Sequence, residues 1–258
     1  MDKKIVFFDI DGTLLDHEKK LPDSTKTAIQ ELKENGVFVA IATGRAPFMF
    51  EPLRKELGID TYVSFNGQYV VFENEVIYQN PMDSNQLQKI KEDASKTDET
   101  PIVFMNEKTM KSSVDHSRRI AEALGSLKFP HPESDHRFHE THQIYQALLF
   151  CTKEEEERFL DKYEKFQFIR WHEFSTDVLP KGGSKAEGIK KVMERIGFDI
   201  EDVYAFGDGL NDIEMLKEVG HGVAMGNAHQ AVKDIADYVT KDVAEDGILH
   251  GLKEFGLL

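Results

Sequence analysis

The sequence predicts an α/β protein in which a parallel-sheet core carries an inserted α+β module, and three observations support this. The first is the opening stretch. Ile5, Val6, Phe7 and Phe8 run without a polar break and stop at Asp9, Asp11, Gly12 and Thr13. An apolar run rich in β-branched and aromatic residues is how a strand buried on both faces of a parallel sheet reads. The second is recurrence: Val37 to Ala42 and Val203 to Phe206 are equally apolar, and each ends in a polar turn containing glycine. The third is a change of texture between about Met82 and Pro180, where amphipathic helices and short strands replace the buried runs. Residues 1–81 and 181–258 are therefore assigned to the core and 82–180 to the inserted module.

The elements follow in order. Leu21-Pro22-Asp23-Ser24 starts a helix over Ser24 to Asn35, with Ala28, Ile29 and Leu32 at helical spacing and Gly36 closing it. Strand, helix and strand make one right-handed unit, which brings the Thr43-Gly44-Arg45 turn to the same sheet edge as Asp9. A helix from Pro47 to Leu57 and a strand from Tyr62 to Phe65 come next. After Asn66-Gly67, Gln68 to Phe72 and Val76 to Tyr78 read as a hairpin closed at Glu73-Asn74-Glu75. In the inserted module helices are expected at Asp83–Lys96, Asp115–Leu124 and Lys153–Tyr163. Strands are expected there at Ile102–Met105, Thr109–Ser113, Ile144–Cys151, Phe166–His172 and Phe174–Leu179. The core resumes with a helix from Ser184, its N-cap, to Ile196. After the Val203 strand come a helix to Val219, a strand at Gly222–Met225 and a further helix. A strand near Tyr238–Thr240 and a helix from Asp246-Gly247 complete the chain.

Bulk properties narrow the function. The chain has 258 residues, enough for one α/β domain with a second inserted into it. A net charge of −15 argues against a nucleic-acid partner, whose phosphates need clustered Lys and Arg, but leaves room for a small phosphorylated ligand. One cysteine, Cys151, forms no intramolecular disulfide, so a reducing, cytoplasmic setting is expected. No apolar stretch reaches the roughly 20 residues that span a bilayer, so no membrane partner is expected. The first strand starts too early for a signal peptide. The chain is expected to be a monomer or homodimer.

Four turns converge on one sheet edge, where open α/β sheets bind ligands. They carry Asp9 with Asp11, Thr43 with Gly44, Lys185, and Asp208 with Asn211 and Asp212. Carboxylates with open positions suit Mg²⁺, which takes oxygen ligands and keeps several waters; zinc would draw Cys and His, absent from these turns. A dinucleotide fingerprint fails, because Asp212 stands where its third glycine belongs. Other features read as structure. His131, His136, His139 and His142 crowd a polar stretch that reads as a solvated loop, and Glu154 to Glu157 as the wet first turn of a helix. Trp171 reads as core of the module or as an aromatic facing a ligand, and Cys151 reads as inert.

The set F-D-I-D-G-T, A-T-G-R, G-G-S-K and G-D-G-L-N-D, in this order, resembles the haloacid dehalogenase superfamily. The large insertion between the second and third motifs resembles its Cof-type phosphatase branch, as do Asn66-Gly67, Ala224-Met225-Gly226-Asn227-Ala228 and Asp246-Gly247-Ile248. The resemblance implies a Rossmann-like core under a cap domain, and a Mg²⁺-dependent phosphatase acting on a small phosphorylated metabolite such as a sugar phosphate or nucleotide-like phosphate. It implies that Asp9 is the nucleophile, forming an aspartyl-phosphate, and that Asp11 is the general acid and base. Gly12, Thr43, Gly44 and Asn211 would hold phosphate, with Lys185 neutralising the nucleophile and the developing charge. Asp9, Asp11 through its carbonyl, and Asp208 would hold the metal, with Asp212 behind them. Alanine rather than the family's usual glycine follows Lys185, and Lys181 competes for the lysine role. Arg45 is read either as a substrate contact or as a helix-start salt bridge. A phosphomutase on the same core and a non-catalytic phospholigand-binding regulator are the alternatives.

Overall fold

The structure, a computed structural model, describes residues 3–96 and 100–258. The chain forms two compact units, Met1–Arg45 with Met49–Gln79 and Ser184–Leu258, and Ala46–Phe48 with Asn80–Gly183.

The first unit is built on an eight-stranded sheet. Strands β1 (Ile5–Phe8), β2 (Phe38–Ala42), β3 (Thr61–Ser64), β4 (Tyr69–Phe72) and β5 (Glu75–Gln79) come from its first half. Strands β11 (Val203–Gly207), β12 (His221–Ala224) and β13 (Tyr238–Val239) come from its second. Their spatial order is β13-β12-β11-β1-β2-β3-β4-β5, with β1 central and parallel to both β2 and β11. Every residue of β1 is buried, as its unbroken apolar sequence requires. The hairpin is antiparallel to β3 and so extends the core sheet. Its two-residue turn, Glu73 (φ 46°) and Asn74 (φ 65°), has the left-handed backbone that matches strand twist.

Helices α1 (Asp23–Glu34), α2 (Pro47–Leu57), α7 (Lys185–Ile196), α8 (Ile213–Glu218) and α9 (Gln230–Lys233) lie between these strands in sequence, and α10 (Gly247–Glu254) follows the last of them. On one side of the sheet Ile5, Phe7, Ala40 and Val63 pack with Ile189, Val192, Met215 and Leu216 of α7 and α8. Helix α7 starts where expected, because the Ser184 hydroxyl accepts from the Glu187 N–H at 3.2 Å.

In the second unit, β6 (Ile102–Met105), β7 (Met110–Ser112), β8 (Gln146–Leu149), β9 (Phe166–His172) and β10 (Ser175–Pro180) form an antiparallel sheet ordered β7-β6-β8-β10-β9. Its helices are α3 (Ser84–Ser95), α4 (Arg118–Ser126), α5 (Phe138–Thr141) and α6 (Lys153–Leu160). Leu87 and Ile90 of α3 and Phe159 of α6 pack on Phe104, Ala147 and Val178 on one sheet face.

The differences from the sequence reading have local causes. Helix α4 starts at Arg118 instead of Asp115, because Ser117 caps it by accepting from the Ile120 N–H. The histidine stretch is only partly a solvated loop. It contains α5, and His139 is buried, stacked on Phe104 at 4.7 Å with Nε2 against Gln88 Oε1 at 2.7 Å. Nor is the acidic turn of α6 wholly wet. Glu155 closes a capping box with Thr152 and pairs with Arg119 at 2.6 Å, while the buried Glu156 pairs with Arg170 at 2.8 Å. Cys151 is buried and its thiol is pushed up to about 11, chiefly by that burial, which leaves it inert at neutral pH.

Candidate active site

The site grows out of the carboxyl edge of β1, β2 and β11. The chain stays in register one residue past β1, since the Asp9 N–H donates to the Phe206 carbonyl at 3.0 Å. Asp9 is thereby held at the sheet edge with 7% of its surface exposed. Beyond it the chain folds into a tight turn at Gly12, where φ is +84° and a Cβ would fall 2.3 Å from Asp208 Oδ2. Glycine is thus required by both the left-handed backbone and the approach of the β11 turn. That approach is bridged on either side. The Thr13 hydroxyl donates to Asp208 Oδ1 at 2.9 Å, and Asn227 Nδ2 donates to the Gly12 carbonyl at 2.8 Å.

Lys185, the first residue of α7, is 1% exposed, and its Nζ donates to Asp9 Oδ1 and Asp212 Oδ1, each at 2.6 Å. The exposed Lys181 binds through its backbone N–H to the Lys165 carbonyl, so the lysine at Asp9 is Lys185. Asp212 is wholly buried and uses both oxygens. Oδ1 takes the lysine, and Oδ2 accepts the N–H groups of Asp208 at 3.0 Å and Gly209 at 2.8 Å.

Asp11 lies apart from this cluster. Arg45 grips it with Nε at 2.8 Å and a terminal nitrogen at 2.6 Å, and Lys19 Nζ reaches the same carboxylate at 2.6 Å. Arg45 thus makes a salt bridge at the start of the helix that follows it, with Asp11 as its partner. Thr43 is buried, and its hydroxyl accepts the Arg45 N–H at 3.1 Å. Gly44 lies against the Asn66 side chain, and Asn211 Nδ2 donates to Asn66 Oδ1 at 3.2 Å.

One ammonium is shared among several buried acids, and it stays protonated: burial acts against its charge, but Asp212 and Asp9 outweigh that and hold its pKa above the usual lysine value. It is not enough for the acids. Burial, reinforced by the charges of Asp212, Asp208 and Asp11, pushes Asp9 up to about 7. Burial and the Asp212 charge push Asp208 up to about 6. Burial also acts to raise Asp11, but the hydrogen bonds and charges of Arg45 and Lys19 hold it below the ordinary carboxylate range.

Such a surplus of negative charge in a dry pocket fits a divalent cation. Carboxylate oxygens of Asp9, Asp208 and Asp212 lie within 4.8 Å of one another, and the donor set is all oxygen. Asp212 already accepts three hydrogen bonds, whereas Asp9 and Asp208 each accept one from a side chain, which leaves these two the freer carboxylates. Reading the sequence missed three residues of this arrangement as site members. Asn66 stood in a segment read as a turn, Thr13 was quoted only within its motif, and Lys19 fell in a stretch given no reading. The hydroxyl of Thr13 two residues after an aspartate was the available signal, whereas nothing local marks Lys19.

Comparison with known proteins identifies the family. The family model of the haloacid dehalogenase-like hydrolases matches residues 6–252. The putative phosphatase YkrA of Bacillus subtilis (strain 168) is 54% identical over 258 residues, covering 100% of both chains. The crystal structure of a hypothetical protein from Geobacillus kaustophilus HTA426 matches with a TM-score of 0.95 at 58% identity, covering 99% of this chain and 100% of that one. The haloacid dehalogenase subclass IIB sugar phosphatase BT4131 matches with a TM-score of 0.87 at 32% identity, covering 99% and 100%. The chain therefore belongs to the haloacid dehalogenase-like hydrolase family. Within it the chain is a phosphatase, an enzyme of the phosphoric monoester hydrolase class.

Proposed function

We propose that this phosphatase is Mg²⁺-dependent and cytoplasmic, and that it hydrolyses a small phosphorylated metabolite by way of an aspartyl-phosphate on Asp9. The observation that carries the proposal is the buried Asp9–Lys185–Asp212 cluster beside Asp208. It is an array of acids too costly to keep in a dry pocket unless a cation and a phosphoryl group use it.

In the first step an Asp9 carboxylate oxygen attacks phosphorus and the ester P–O bond breaks. The departing alkoxide takes a proton from Asp11. In the second step water gives a proton to Asp11 and attacks the same phosphorus, breaking the Asp9–phosphorus linkage and releasing phosphate. Arg45 and Lys19 keep Asp11 ionised; to act as an acid it must first be protonated and loosened from Arg45. Lys185 keeps Asp9 oriented and neutralises charge that grows on the phosphoryl oxygens. Thr43, Gly44 and the Gly12 turn offer hydroxyl and amide donors to those oxygens, and Asn211 orients them. Asp9, the Asp11 carbonyl and Asp208 would hold the magnesium ion, with Asp212 bracing Lys185 and the Asp208 turn. The ion supplies charge neutralisation for phosphoryl transfer, a reaction that depends mostly on positioning and electrostatics.

Residues 82–180 we read as a cap that sets substrate choice. On the sheet face opposite Val178, Asp177 is buried against the polar side chains of Trp171 and Gln146. Such groups match the hydroxyls of a sugar phosphate, the substrate type named for the 32%-identical relative. The complete set of acids favours catalysis over a regulator with a decayed site. The test is phosphate release over a phosphometabolite panel with Mg²⁺, run beside Asp9→Asn and Asp11→Asn. Release from the wild-type chain alone is expected. Release that survives both substitutions refutes the mechanism, and isomerisation without phosphate release would point to the mutase.

A further inference from the structure

The turn after β3 is strained, and it touches three of the four site loops. Phe65, Asn66 and Gly67 have φ of 51°, 49° and 94°, so three consecutive residues are left-handed. Asparagine tolerates that region, but a bulky residue such as Phe65, here fully buried, is an outlier there. Strain of this kind persists only where the surroundings over-determine it.

The surroundings are the catalytic loops. The Phe65 N–H donates to the Arg45 carbonyl at 3.2 Å and the Asn66 N–H to the Thr43 carbonyl at 3.1 Å, which pins the Thr43–Gly44–Arg45 turn from behind. The Asn66 side chain, 3% exposed, lies so close to Gly44 that a Cβ there would meet its Nδ2 at 3.0 Å. Its Oδ1 takes the Asn211 amide at 3.2 Å. At Gly67 a Cβ would fall 2.0 Å from the carbonyl of Ser184, the cap of the helix that begins with Lys185.

We propose that Asn66 is a positioning residue for phosphoryl transfer: its side chain locks the Thr43–Gly44 loop to Asn211, so that the groups meant for the phosphoryl oxygens keep a fixed separation before substrate arrives. This rests on the phosphatase reading above. Asn66 itself needs no contact with substrate; it acts through Asn211 and through the shape of the Gly44 turn. The plain alternative is a turn asparagine chosen only because it accepts a positive φ.

Asn66→Gly separates the two, because glycine adopts the same backbone without strain and removes only the side chain. If the residue positions, thermal stability stays level or rises. Meanwhile kcat falls about 10- to 100-fold with KM little changed, the scale expected for ångström-level misplacement of oriented groups. Combined with Asn211→Ala, the loss is less than the product of the two single losses, because both remove the same link. Orthovanadate affinity with Mg²⁺, measured by calorimetry, falls in Asn66→Gly as well. Wild-type kcat and vanadate affinity in Asn66→Gly, or losses that multiply fully with Asn211→Ala, overturn the proposal. A wild-type chain that turns over no phosphate ester instead sinks the phosphatase reading, and the vanadate comparison still decides for Asn66.

Discussion

Asp9 in the first unit and Asp177 in the second are buried to nearly the same degree, 7% and 8% exposed, yet they are treated in opposite ways. Asp9 shares its pocket with Lys185, Asp212 and Asp208, and charges of both signs crowd it. Among the described residues Asp177 has no ion pair; the Trp171 indole and the Gln146 amide face it. Both pKa values rise, to about 7 and about 8, and burial is the leading cause in each case. In the first unit, however, the neighbouring acids add to the rise, and a metal would reverse it. In the second, only neutral dipoles oppose the rise, and the cheapest state is the protonated acid. The first pocket concentrates charge of both signs, and the second sets a single acid among neutral dipoles.

Substituting the two acids with their neutral isostere breaks the comparison most directly. Asp9→Asn is expected to lower kcat by at least about 10⁴-fold, as loss of a covalent nucleophile does. Retention of more than a few per cent of activity would mean that another residue attacks phosphorus.

Metal withdrawal comes next. Chelation should abolish phosphate release and added Mg²⁺ restore it. Because protons compete for Asp9 and Asp208, whose pKa values lie at about 7 and about 6, apparent Mg²⁺ affinity should strengthen as pH rises from 5.5 to 8. Calorimetric titration at several pH values checks this, and a flat profile would take both acids out of the metal set.

Lys185→Met removes the cation and keeps the volume. It leaves Asp9 and Asp212 buried without their shared partner, and breaking a buried pair in this way costs about 3–5 kcal/mol. Loss of that size in denaturant unfolding should be partly recovered in Lys185→Met with Asp212→Asn. No recovery would show that the lysine acts through packing.

The smallest effect falls on Asp177. Between its ordinary 3.8 and its folded value of about 8, the folded chain keeps a proton that the unfolded chain releases, so stability falls as pH rises through that window. Asp177→Asn has no proton to lose. The variant should melt above the wild type at pH 8, by about 2–4 °C for each kcal/mol relieved, and the gap should close toward pH 4. Equal melting points at both ends would place the carboxyl in contact with water.

Much of this arrangement was legible because burial and turn chemistry are written locally. A strand covered on both faces must be apolar at every position, so β1, β2 and β11 stood out, and each ended in the turn that carries site residues. Ser184 announced α7 because a helix start needs an acceptor for its free N–H groups. Choices among chemically equal candidates were not legible. Lys185 was preferred over Lys181 only through the motif resemblance, and the structure then brings its Nζ to Asp9 Oδ1 at 2.6 Å. Asn66-Gly67 read as a turn, with nothing to show that its amide meets Asn211 145 positions away. His139 looked solvated until Phe104 covered it.

The sequence by itself determined the parallel core, the inserted module and the acids at the sheet edge, since hydrophobic period and turn preference act over a few residues. The tertiary structure alone decided which cation neutralises which acid: Lys185 for Asp9 and Asp212, Arg45 and Lys19 for Asp11 and, among the described residues, none for Asp177. Charge pairing depends on distance through space and on the exclusion of water, and both exist only once the loops have packed.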